Sequence, residues 1–191
     1  MKRTVIACSI FEDELNSVLQ DPAYDVDVKW LHAGLHCDLE LLEKSLVKIL
    51  DEVKDTAEGP RLLIGDGCLP QMKDLAKSYQ IPVLSYKNCV ESLIGVDKLR
   101  ELERDKTMVI TPAWIRKVFI APDGVRQILG WDNTDLKINF GRYDRFLVLD
   151  FGLSPLTDEE TMEFFDAVEV PIETMEMDLD RFKNVISEFL A

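Results

Sequence analysis

The chain has no apolar run near the ~20 residues that a membrane-spanning helix needs. Its amino terminus, MKRTVIACSIFEDE, reaches acidic residues too early for a signal peptide. Basic charge is also scarce, with 22 Lys and Arg against 36 Asp and Glu and a formal net charge of -14. A phosphate backbone or an anionic lipid surface is repelled by such a balance, so neither nucleic acid nor a membrane is expected as a partner. Cysteine is sparse: Cys8, Cys37, Cys68 and Cys89 are too few in 191 residues to staple a scaffold. Their use as reduced thiols points to a cytoplasmic protein. They also lack the CxxC pairing from which a structural zinc usually draws its ligands. Nucleotide motifs are missing too. Gly65-Asp66-Gly67-Cys68 has Pro70 where a dinucleotide fingerprint needs its third glycine, and no GK[ST] follows. There is thus no nicotinamide, flavin or P-loop nucleotide signature, and without GxSxG there is no serine-hydrolase nucleophile.

What is present is an alternation of short apolar runs with amphipathic stretches. RTVIAC (3–8), 25–31, Leu62–Gly65, Val83–Tyr86, Met108–Ile110, FLVLD (146–150) and Val168–Ile172 read as strands. Between them, helical periodicity covers 11–20, the run after Asp38, the stretches after Cys68 and after Asn88, 96–105, 157–166 and 179–190. Thr111-Pro112 is a helix start, with threonine as cap and proline pre-set for the first turn. Residues 121–145, punctuated by Pro122, Gly124, Gly130 and Gly141, are expected to be a short helix and a loop lying over a sheet edge. The pattern predicts a single α/β domain over 1–191, a Rossmann-like three-layer fold with a mostly parallel sheet covered by helices on both faces.

Right-handed crossovers put the carboxyl ends of parallel strands on one rim. On these strand assignments Cys8, His36, Cys68 and Cys89 each fall just beyond a different strand, on that rim. Thiolate sulfur and imidazole nitrogen together suit zinc and its neighbours. Ligands gathered from separate strand ends suit a functional site with an open coordination position better than a closed structural one. The competing reading is burial, because cysteine is among the most buried residue types. A metal-free redox pair also stays open, provided two thiols approach closely. His32 is read as structural or supporting, Cys37 as an unused thiol, and Asp66 as a turn former.

The motifs taken together, IAC at Ile6–Cys8, LHAGLH at Leu31–His36, the glycine-flanked Cys68, NCVESLIG at Asn88–Gly95, ITPAW at Ile110–Trp114 and YDRFLVLDFG at Tyr143–Gly152, resemble the family catalogued as domain of unknown function 1638. The resemblance spans about residues 3–153. It implies a bacterial or archaeal cytoplasmic protein, in a setting of methanogens and anaerobes that carry corrinoid-dependent methyl transfer. It matches Cys8, His36, Cys68 and Cys89 to family positions without assigning them a role. Two departures stand out: Ser9 where the family often has glycine, and Leu69-Pro70 where glycines commonly follow the central cysteine. No DxHxxG is present, so a corrinoid held through that motif's histidine is not expected. The expectation is a zinc site of Cys8, His36, Cys68 and Cys89 acting on a small-molecule or thiol substrate, linked to methyl transfer or thiol activation. The alternative is a non-enzymatic accessory or small-molecule-binding module for a corrinoid-dependent methyltransferase partner, with Trp131, Phe140 and Tyr143 as contacts.

Overall fold

A computed structural model describes residues 3–55, 59–122 and 124–191. The chain is α/β, as expected, and its strands are parallel. They group into two three-stranded sheets. In the first, β1 (Arg3–Cys8) lies between β2 (Val26–Leu31) and β3 (Pro60–Leu63), in the order β2-β1-β3. Register sets Cys8 opposite Leu31 and Ala7 opposite Leu63, so the three strands end at one level. In the second, β4 (Thr107–Ile110), β5 (Arg145–Asp150) and β6 (Ile172–Glu176) pair in order. Continuous apolar runs fit strands covered on both faces, and Ile6, Leu62, Phe146 and Leu149 are fully buried.

Helices fill the connections: α1 (Glu12–Val18), α2 (Leu39–Val53), α3 (Met72–Tyr79), α4 (Cys89–Ile94), α5 (Val96–Leu102), α6 (Pro112–Trp114), α7 (Val125–Leu129), α8 (Asn133–Phe140), α9 (Asp158–Val168) and α10 (Asp180–Leu190). Several of them start at a capping residue. Asp38 accepts from the Leu41 amide, Asn88 from Glu91 and Thr111 from Trp114, each satisfying an amide of the first turn. No helix among the described residues is long and apolar enough to cross a membrane.

Several expectations need correction. Residues 83–86 do not form a strand: one parallel bridge joins Val83 to Leu62, after which the chain leaves β3 to pack its backbone against the glycine loop. The last strand is Ile172–Glu176, not 168–172, because α9 runs to Val168 and Glu169 turns the chain in the left-handed region. The loop after β2 is a 3₁₀ turn, Ala33–Cys37. α6 continues as a π-helix, Ile115–Ile120. Within 121–145 two helices form, α7 and α8, and Asp123 lies outside the described residues. Trp131 packs its ring with Phe140 in the aromatic cluster over β5, and Tyr143 packs on Phe146 there while also lining a chamber along β4.

Candidate functional site

The ends of β1 and β3, the 3₁₀ turn after β2 and the start of α4 enclose a cavity of about 190 Å³ lined by Cys8, His36, Cys68 and Cys89 together. Apolar side chains close it, among them Phe11, Trp114 and Val118. Cys37 is not among the lining residues, is half-buried and packs between the two hydrophobic clusters.

The glycines around Cys68 explain how two of these thiols come to one cavity. A β-carbon on Gly65 would stand 2.5 Å from the Lys87 carbonyl oxygen and 2.8 Å from the Asn88 Cα; one on Gly67 would stand 2.8 Å from the same oxygen. Neither glycine has positive φ, so these positions require space and not an unusual conformation. In the room they leave, the Asp66 amide donates to the Tyr86 carbonyl at 2.7 Å and the Gly67 amide to the Lys87 carbonyl at 3.0 Å. The Gly65–Cys68 turn is thereby locked to the residues that open α4, and Cys68 and Cys89 line the same cavity.

His36 is oriented by its own turn. Its Nδ1 lies 2.8 Å from the Ala33 carbonyl, an acceptor only, so Nδ1 carries the proton and Nε2 keeps its lone pair. Burial holds the imidazole below its usual pKa, hence neutral. His32, four residues before, accepts from the Gly34 amide and caps the turn, the structural part its sequence context suggested.

The same burial keeps the thiols protonated. Cys8 is pushed up to about 12 and Cys68 to about 11, and Cys89 also rises, in each case mainly through loss of water. Cys89 is raised further by charge on Cys8 or Cys68, so the three thiols sense one another. As the side chains stand, no three His, Cys, Asp or Glu groups among the described residues are close enough to hold a metal.

Trp114 and Val118 reach the cavity from α6 and the π-helix that continues it. The widened turn, closed by the Ala121 amide on the Arg116 carbonyl, is a form often found at functional sites. It directs Lys117 to the Ser9 carbonyl (2.9 Å) and the Glu12 carboxylate. Sequence periodicity does not reveal this cation, since a π-turn shifts the face on which a side chain emerges. Beside the thiol cavity lies a chamber of about 430 Å³ along β4, also missed from sequence because a chamber is bounded by residues remote in the chain. Asn88, Cys89 and Trp114 line both spaces.

Residues 30–186 match a family described as "Protein of unknown function (DUF1638)". No curated protein and no solved structure matches the chain. The span includes His36, Cys68 and Cys89, while Cys8 lies before it.

Proposed function

We propose, for a chain that belongs to the DUF1638 family of proteins of unknown function, that the small cavity is a metal site for zinc or a similar soft-to-borderline cation. Cys68, Cys89 and His36 are the ligands, with Cys8 as fourth ligand or close neighbour. The observation that carries the reading is the convergence of all four side chains on one cavity, with the imidazole oriented through Nδ1. A ring that donates one nitrogen's proton to a backbone carbonyl presents the other nitrogen as a ligand, the arrangement common to metal-binding histidines. Rotation of the thiol side chains would draw them onto the ion, and the thiols would give up their protons as it binds.

Such a site would supply Lewis-acid activation of a thiol or of water. The work of the chain's own residues is to hold the ligands from separate elements, exclude water with Phe11, Trp114 and Val118, and keep His36 neutral. Methyl transfer to a thiol is the reaction this reading favours, in a reducing cytoplasm and beside a methyltransferase-related partner. The two sheets are then halves of one interrupted Rossmann-like, three-layer unit, with the site at their carboxyl ends. Elemental analysis of protein prepared anaerobically without a metal-affinity tag tests the metal. About one equivalent is expected in the wild type and a marked loss in Cys68→Ser and Cys89→Ser. Metal-free wild type that also takes up no added zinc, or content unchanged in both variants, sinks the reading.

A further inference from the structure

The larger chamber has a mouth and an inner end of different chemistry. β4 pairs only with β5 among the described residues, and all of β4, Thr107–Ile110, lines the chamber together with Thr111 just beyond it. Opposite them stand Asn88–Val90, which open α4. The chamber therefore lies between β4 and the start of α4. At about 430 Å³ it is in the size range of small-molecule pockets.

Its inner end is Cys89 and Trp114, shared with the thiol cavity. Toward solvent it carries one acidic and one basic side chain, the exposed Glu103 and Lys106. Glu103 has no ion-pair partner among the described residues, and burial together with the Glu91 charge raises its pKa. Lys106 has only a 3.8 Å approach to Asp144, both side chains being largely exposed. The turn that carries Lys106 is strained. Asp105 (φ 58°) and Lys106 (φ 53°) are successive non-glycine residues in the left-handed region, each at a cost that folded structure retains mostly at working surfaces.

We infer that this chamber binds the substrate, and that the substrate is a small zwitterion of the α-amino-acid type: its ammonium at Glu103, its carboxylate at Lys106, and its stem running past Met108 and Val109 to Cys89. Taken with the metal site proposed above, on which this part rests, the stem ends in a thiol. The two exposed charges fix orientation, and the edge of β4 supplies backbone groups to the polar end.

Calorimetric titration of the full chain, zinc-loaded and metal-free, with L-homocysteine and three analogues tests the assignment. The analogues are 4-mercaptobutyrate, 3-aminopropanethiol and 2-aminobutyrate, lacking the amine, the carboxylate and the thiol respectively. Removal of either charged group is expected to weaken binding roughly tenfold. Glu103→Gln should abolish the preference for the amine, and Lys106→Gln the preference for the carboxylate. If the metal reading alone fails, 2-aminobutyrate binds as well as homocysteine and both substitutions keep their effect, which supports the chamber. No heat with any of the four ligands, equal affinity for homocysteine and the amine-free and carboxylate-free thiols, or indifference to both substitutions overturns it. Both side chains are exposed, so neither variant endangers the fold.

Discussion

The Glu14 carboxyl is 4% exposed, and its Oε2 has no hydrogen-bond partner among the described residues. It lines a small void with Asp13, Pro112, Ala113 and Asp150, and its charge is felt at Cys89 in the thiol cavity. Its pKa is raised to about 7, mainly by loss of water and also by Asp13, against a backbone hydrogen bond and Lys117. A carboxyl whose pKa is raised on folding favours the protonated folded state, so its contribution is present below the ordinary carboxyl pKa and is lost as pH climbs through 7. The gap from an ordinary carboxyl corresponds to about 3 kcal/mol at most. Urea denaturation at pH 5 and pH 8 should therefore show Glu14→Gln gaining about 2–3 kcal/mol on the wild type at the higher pH relative to the lower. His36, shifted downward, has the opposite slope on the acid side, and both proteins share it. Parallel pH profiles for the two would mean that Glu14 is solvated in solution. The helical period over 11–20 was legible, and Leu15 and Val18 on α1 are buried. Glu14 beside them was not, because a carboxylate in an amphipathic pattern is read as solvent-facing by default.

At the level of elements, the strands that reached the site were the legible ones. RTVIAC is β1, residue for residue, and Asp38, Asn88 and Thr111 cap helices where their side chains suggested. Val83–Tyr86 failed for a physical reason. Its alternation fits a strand, but the Tyr86 and Lys87 carbonyls accept from the Asp66 and Gly67 amides, and the backbone bends to reach them. The glycines that looked like a ligand turn thus serve a backbone packing contact, and the convergence of Cys68 with Cys89 follows from it. The contact sets the expected cost of a single methyl group. Gly65→Ala forces the β-carbon onto the Lys87 carbonyl, backbone that cannot swing aside, and should destabilise by about 1–3 kcal/mol as overpacked sites do. Thermal denaturation reads the stability. Zinc titration reads the site, whose affinity should fall with it. A variant as stable as wild type that binds zinc equally well would mean that the 65–68 turn adjusts freely and does not set the thiol geometry.

Across the whole molecule, the helix last in sequence packs behind the site. α10, the last helix, packs on α4 and α1, and so returns to the sheet built first. Gly95, at φ 86°, separates α4 from α5 where a β-carbon would strike the Arg181 guanidinium at 2.9 Å. The deepest link is aromatic. Phe182 of α10 is fully buried and stacks on Phe11 at 5.5 Å between centroids, with the rings 12° from parallel. Phe11 is itself a wall of the thiol cavity, so the carboxy-terminal helix supports the cavity from behind. A helix period over 179–190 was readable in the sequence, but its partner was not, since nothing local ties residue 182 to residue 11. Phe182→Ala should cost about 3–5 kcal/mol, as buried phenylalanines do when truncated, and Phe11 should lose its stacked neighbour. Alkylation of the folded variant, followed by mass mapping, should then find Cys8 and Cys89 modified several times faster than in the wild type, while Cys37, outside the cavity, is unchanged. If all four cysteines accelerate together, the loss is global unfolding and not a loosened wall. If none does, the cavity holds its shape without α10 and the two ends of the chain are mechanically independent.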